Sequence, residues 1–270
     1  MRSLLEQFHD ARIYDLGQPY FPGMPHYPTH PPFLFGLTKR HGDLVLEGDV
    51  SSSADAIALG THVGTHIDAL SHFSCCGKLY GGIDARSNQS HAEGMKKLAV
   101  DTVAPIFRRG VLLDIAAAES VQQLARDFVI TPEHLDRAAT AEEVTIGGGD
   151  IVLLRTGWGA LWDDPVRYIT GGRGSQAAGP GPERAGAEWL SSRGIFAAGS
   201  DTVAFERVPS GMEVHVHLLV ESGIHIIEAL NLEQLAADRV YEFLFIAIPM
   251  KIRGATGSPV RPMAVAGPVV

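Results

Sequence analysis

Strand-like and helix-like signals alternate along this chain, and that alternation limits its fold more than any other feature. Gly110 to Ile115 (GVLLDI) and Asp150 to Arg155 (DIVLLR) are short apolar runs that read as buried strands. Between them, Thr131-Pro132-Glu133 marks a helix start, with a Thr cap, Pro at the first position and an acid in the first turn. Pro182 to Ser192 reads as a helix stopped near Gly194, and Ile195 to Ser200 as a strand. Val214 to Val220 reads as a helix ending near Gly223, Ile224 to Glu228 as a strand, and Asn231 as the cap of a short helix. Glu242 to Met250 is a strong strand signal. The first fifty residues carry Pro19, Pro22, Gly23, Pro25, Pro28, Pro31 and Pro32, which favour extended or looped chain over helix. The sum predicts a mixed α/β fold with many strands and modest helices.

Size and charge narrow the function. A chain of 270 residues can form one core burying about three quarters of its unfolded surface, and a single domain over 1–270 is expected. At 45% hydrophobic residues it is too apolar to be disordered. A formal net charge of −9 argues against a broad nucleic-acid footprint. No apolar run approaches the roughly 20 residues that span a bilayer, and the opening MRSLLEQFHDARIYDLG has no apolar stretch of signal-peptide length. Cys75 and Cys76 are the two cysteines, and neighbours in sequence cannot staple distant segments. A soluble, cytoplasmic protein that binds neither nucleic acid nor membrane is expected. Gly171 to Gly181 (GGRGSQAAGPG) reads as a surface loop, either plain or mobile beside a site. Gly147-Gly148-Gly149 precedes a strand, whereas a phosphate loop follows one.

The chemistry is carried by histidine. Thr61 to Phe73 (THVGTHIDALSHF) places His62, His66, Asp68 and His72 within eleven positions. Two imidazoles and a carboxylate, with a third imidazole close by, form a donor set for a divalent metal. Gly60 and Gly64 allow the backbone shapes that let such side chains converge, and Thr61 and Thr65 offer orienting hydroxyls. Position 63 is Val, so the helix-borne Glu of the zincins is missing. The second cluster is Glu213 to Glu228 (EVHVHLLVESGIHIIE), where His215 and His217 compete for one inward position. Glu228 lies among Ile226, Ile227, Ala229 and Leu230; a buried carboxylate there needs a cation or a donor, and a strand end facing water is the alternative. His225 reads as structural or exposed. Tyr20, Phe21, Met24, Phe35 and Trp158 are candidates for an apolar substrate wall, or core residues. Asp201 is a candidate polar substrate contact, or a turn cap. Two His and one carboxylate also suit a non-haem iron oxygenase or isomerase, and a fully ligated site without a cavity would indicate a binding module.

THVGTHIDALSHF resembles the signature of the metal-dependent cyclase family, which includes bacterial kynurenine formamidases and isatin hydrolases. His62, Gly64, Thr65, His66, Asp68, His72 and Phe73 match the pattern, and Leu70 stands where that family usually has proline. The opening Asp15-Leu16 with Pro22-Gly23-Met24-Pro25, the run DIVLLRTGW, the run IFAAGSDT and the run HLLVESGIHIIEAL resemble further family segments in the same order. The resemblance implies a β-rich core with surrounding helices, assembled as dimers or higher oligomers. It implies His62, His66 and Asp68 as ligands of zinc or manganese, His72 as the acid–base residue, and Glu228 with His215 (or His217) completing a second site in two-metal members. The implied reaction is hydrolysis of an amide or lactam C–N bond in a small aromatic or cyclic substrate, with lactone or cyclic imide opening as the alternative.

Overall fold

The computed structural model describes residues 10–267, so the reading of a chain start without a targeting segment falls largely outside the described residues. A nine-stranded sheet organises the chain. Across it the strands run in the order Arg12–Asp15, Met263–Ala266, Glu242–Ala247, Ile106–Asp114, Ile151–Arg155, Ala197–Ser200, His225–Glu228, His66–Asp68 and Gly257–Pro259. The four strands from Ile106–Asp114 to His225–Glu228 are mutually parallel, and the flanking strands pair antiparallel. This is the mixed α/β fold expected from the alternation of strand and helix signals.

Period-two alternation within the apolar runs divides the core between the two faces. Val111, Leu113, Val152, Leu154 and Ile226 pack on one face with Leu135, Ala138, Ala187 and Leu190 of the helices Pro132–Ala141 and Arg184–Ser191. Leu112, Ile151, Leu153 and Ile227 point to the other face, against Tyr14, Leu16, Leu235 and Phe245. Each fully buried Val, Leu, Ile or Phe among them contributes about 1.5–3 kcal/mol. Leu70 packs against the first cluster, so the residue at the family's proline position is held by apolar contact.

Some boundaries differ from the sequence reading. Thr131 does cap its helix, with His134 in the reciprocal role: its Nδ1 accepts the Thr131 backbone N–H at 2.9 Å. Asn231 is not a cap. The short helix Glu233–Ala237 begins after Leu232, and the Asn231 backbone N–H is spent on the Leu16 carbonyl at 2.9 Å. The strand expected over Glu242–Met250 ends at Ala247, leaving Ile248 and Met250 exposed. Of the segment 171–181, residues 172–176 lie at the surface, whereas Ala177 to Gly181 are buried, and Gly179 pairs with Val208.

One buried acid ties stability to pH. Glu142 accepts the Asp114 backbone N–H at 2.7 Å, and its other oxygen is buried without a partner. Burial pushes its carboxyl up to about 8, and the nearby Asp114 charge adds to the rise. The folded state therefore holds a proton that the unfolded chain releases near the ordinary value, so this contribution fades as pH rises toward 8. A Glu142→Gln variant stays neutral and should show a flatter profile. The expected result is a melting temperature for the parent that falls relative to the variant between pH 5 and 8, by at least about 2–4 °C, the shift for roughly 1 kcal/mol. Parallel melting curves would refute it.

Candidate metal centre

The strand His66–Asp68 is three residues long, and its alternation decides what it presents. Ile67 is buried in one apolar cluster, while His66 and Asp68 project from the opposite face. The strand pairs antiparallel with His225–Glu228, setting Glu228 opposite His66 and Ile226 opposite Asp68. Glu228 thus joins His66 and Asp68 on one side of the sheet. His215 arrives over that face from the short helix Glu213–His215, which continues through a π-helical turn over Val216–Ser222. His66, Asp68, His215 and Glu228 are all buried.

Their polar atoms converge. His66 Nε2 lies 3.5 Å from Asp68 Oδ1 and 3.4 Å from Glu228 Oε2. His215 Nε2 lies 3.2 Å from Glu228 Oε1 and 3.9 Å from Asp68 Oδ2. On the other flank, His62 Nδ1 sits 2.6 Å from Asp68 Oδ1, and its Nε2 meets the Thr256 hydroxyl at 2.9 Å. The His72 ring stacks on His62 with centroids 3.7 Å apart. His62, Asp68 and His72 form one group whose donor atoms lie within 4.8 Å of each other, and His66, Asp68 and Glu228 form another. Asp68 belongs to both.

The surrounding bonds fix ring orientation. The Gly64 carbonyl, 2.8 Å from His66 Nδ1, can only accept, so that nitrogen carries a proton and Nε2 is the atom turned toward Asp68 and Glu228. Glu206 does the same for His215, accepting from Nδ1 at 2.6 Å and from the His215 backbone N–H at 2.9 Å. Two glycines are required by space. Gly64 has φ +66°, and a Cβ there would lie 2.3 Å from the Tyr20 ring; a Cβ on Gly257 would lie 2.5 Å from the His62 ring.

Charge follows from burial and neighbours. Burial opposes ionisation of Asp68, yet the imidazoles of His72, His62 and His66 hold its carboxyl well below the usual carboxylate range. Burial alone would lower His215, but hydrogen bonds to Glu206 and Glu228 outweigh it and raise the ring to about 10. Burial pushes His72 down to about 3 despite the attraction of Asp68, so its ring is neutral at pH 7. Asp68 Oδ2 is buried with no hydrogen-bond partner. An orphaned carboxylate oxygen, a second buried carboxylate and the Nε2 atoms of His66 and His215 within reach are a donor set that suits a divalent cation, which would take the place of the proton His215 otherwise shares with Glu228.

Beside the cluster is a pocket of about 160 Å³ whose lining includes Tyr27, His30, His72, Phe73, His215 and Glu228. The side chains expected to form a substrate wall lie elsewhere. Met24 and Trp158 are buried in an apolar cluster with Phe33 and Val63, against which Tyr20 and Phe21 pack, and Phe35 is on an exposed strand. Asp201 faces away from the pocket. Its carboxylate accepts the backbone N–H groups of Thr156, Gly157 and Gly159 and the Thr156 hydroxyl, and burial raises its pKa to about 6. Met24, Trp158 and Asp201 are thus taken up by packing and hydrogen bonds in the supports of the site rather than turned to this cavity.

Between the two later histidines, His215 enters the cluster. His217 points away, bonded to the Ser191 hydroxyl at 2.7 Å and to Glu221 at 2.9 Å. His225 is buried and structural, with Nδ1 2.8 Å from the Asp68 carbonyl. Cys75 and Cys76 are exposed free thiols. Sequence reasoning missed Glu206, Tyr27 and His30. His30 Nδ1 bonds the His62 carbonyl at 3.1 Å, so it braces the motif from a proline-rich loop that carried no periodic signal. Glu206 was discernible only as an acid following the IFAAGSDT segment.

Residues 14–207 match the profile of the Cyclase family. The chain belongs to that family. Among curated Cyclase relatives, the isatin hydrolase of Roseibium aggregatum is 28% identical over 214 residues, covering 77% of this chain and 73% of that protein. The kynurenine formamidase of Bordetella petrii is 24% identical over 253 residues, covering 93% and 96%. A solved structure described as a novel cyclase superposes with a TM-score of 0.87 at 27% identity, covering 98% of this chain and 90% of that one. Isatin hydrolase A from Ralstonia solanacearum shares the fold, with a TM-score of 0.75 at 23% identity over 98% and 96% of the two chains. Among the described residues, no helix is long and apolar enough to cross a membrane.

Proposed function

We infer that residues 1–270 act as one metal-dependent hydrolase domain that opens an amide or lactam C–N bond in a small cyclic or aromatic molecule. The observation that carries this reading is the orphaned Asp68 Oδ2 beside His215 and Glu228, at the edge of a small pocket faced by Tyr27, His30 and Phe73. His62, His66, Asp68, His215 and Glu228 are the residues that would hold zinc or manganese, in one site or in two sharing Asp68. A divalent ion held there supplies Lewis acidity and brings the pKa of water from about 15.7 toward roughly 7.

The chain's own groups do the rest. His72 lines the pocket beside His215 and Glu228, and from that position it is assigned the transfer of a proton from the attacking water to the leaving nitrogen. Stacking on His62 restrains the His72 ring. Tyr27, Phe73 and Val203 supply flat and apolar surface for a ring, and the cavity's size, below the roughly 300–1,000 Å³ of most ligand pockets, restricts entry to small substrates. Names of the relatives support amide and lactam substrates; isatin hydrolase and kynurenine formamidase are the two relatives described above. The test is a panel of N-formyl arylamines, isatin-type lactams and lactones with zinc- or manganese-loaded protein. Hydrolysis of a C–N substrate that stops on chelation is expected. Turnover confined to lactones would replace the C–N assignment, and a strict requirement for iron and oxygen would replace hydrolysis itself.

Glu206 is a positioning residue in this reading, since it fixes the tautomer of His215. A Glu206→Gln variant should bind metal about 10–100-fold more weakly, the usual cost of losing a partner behind a ligand. Chelator competition measures this, and unchanged affinity would remove Glu206 from the account.

A further inference from the structure

Cys75 and Cys76 take no part in the cation cluster, yet the chain holds them in a defined shape. The backbone N–H groups of Cys75 and Lys78 each bond the other's carbonyl at 2.9 Å, which closes a tight turn over Cys76 and Gly77. Both central residues have positive φ, +53° at Cys76 and +73° at Gly77, as a type I′ turn requires. Asparagine, aspartate or glycine is the residue expected at the first of these positions. A cysteine there takes the left-handed backbone without the local compensation those residues have. The effect on the side chains is specific. Successive residues of an extended chain point to opposite sides, but here the two Sγ atoms lie 3.6 Å apart, one thiol bonded to the other. Both residues are exposed and free.

That separation selects what can bind. It is far beyond the roughly 2.03–2.05 Å of a disulfide bond. Two sulfurs held by one centre through bonds of about 2.3 Å, at an angle of roughly 100–110°, stand about 3.5–3.8 Å apart. Neither cysteine belongs to a group of three or more metal donors among the described residues, so the four protein ligands of a structural zinc site are not supplied. A centre that needs two thiols and brings its own third substituent fits. We propose that the Cys75–Cys76 turn is a capture site for a trivalent organoarsenical, R–As(OH)2. Two S–H and two As–O bonds break, two As–S bonds form, and two waters leave; arsenic stays trivalent and no oxidant is consumed. The turn joins two parts of the site's surroundings. Phe73, two residues before it, lines the pocket with its ring 4.8 Å from the rings of both His72 and His215. Tyr80, just after it, packs so closely on Gly223 that a Cβ there would lie 2.4 Å from its ring, at the end of the π-helical turn that follows His215. Capture does not depend on the hydrolytic reading, because its test counts thiols and mass.

Phenylarsine oxide, whose hydrate is the dihydroxy form, is the probe. The full chain should take up one equivalent, lose two titratable thiols and gain the mass of one phenylarsenic unit less two hydrogens. Cys75→Ser and Cys76→Ser each leave a single thiol and should bind at least about 100-fold more weakly, the loss of an intramolecular second contact. Gly77→Pro keeps both thiols but is incompatible with positive φ at position 77 and disfavours the helical regions at Cys76. It should weaken capture at least about tenfold, because the thiols are no longer preorganised. Should that variant not fold, the parent unfolded in guanidinium chloride gives the same comparison. A parent that keeps both thiols in equimolar probe at micromolar concentration would overturn the proposal. So would single-serine variants that bind as tightly as the parent, or capture that is unchanged once the turn is undone.

Discussion

Purified Asp68→Asn protein is expected to carry almost no divalent metal and to show turnover near background. Asp68 is the one side chain common to both donor groups, and only its Oδ2 is a buried side-chain oxygen in the cluster left without a partner. Asparagine keeps the shape but removes the charge and offers one acceptor oxygen in place of two. Loss of a group that merely supports a ligand costs about 10–100-fold in metal affinity, so loss of this carboxylate should exceed about 100-fold. Elemental analysis after dialysis, paired with a melting curve to confirm folding, reads the result. Full metal content in a folded Asp68→Asn protein would mean that the cation lies elsewhere.

His72→Ala should separate binding from chemistry. The ring lies between two possible roles, because it belongs to the donor group with His62 and Asp68 and also lines the pocket. As a proton carrier its removal leaves metal in place and lowers kcat by about 10²–10⁴-fold. KM should change little, and the pH dependence of kcat should lose one limb. If metal falls with activity, His72 is a ligand and the proton must move through another group.

Much of the fold was legible in the sequence because apolar runs with clear ends leave few choices. GVLLDI and DIVLLR became adjacent parallel strands in register from Gly110↔Ile151 to Asp114↔Arg155. The stretch THVGTHIDALSHF was legible as a site because three imidazoles and a carboxylate crowd into eleven positions and match a family signature; that His66 and Asp68 share one face of a short strand came only with the structure. What local pattern cannot show is the partner of a side chain. Asp201 was open to a substrate contact or a turn cap, and three backbone N–H groups 42 to 45 residues earlier in the chain claim it. Met24 and Trp158 looked like a wall and instead hold the loop behind Val63. His30 and Glu206 were passed over because their roles arise from contacts with His62 and His215 that no spacing records. The two-stranded ribbon of Leu34–Lys39 and Ala54–Ala58 begins in a stretch read as extended or looped, where proline signals spoke for its entry and not for its pairing.

A cation is expected between Asp68, His215 and Glu228. Anomalous diffraction from crystals of the protein loaded with manganese would locate it. The expected peak lies in contact with Asp68 Oδ2 and with at least one of His215 Nε2 and Glu228, and it is lost after chelation together with hydrolysis. Active, manganese-loaded protein whose only peaks lie away from these side chains would contradict it.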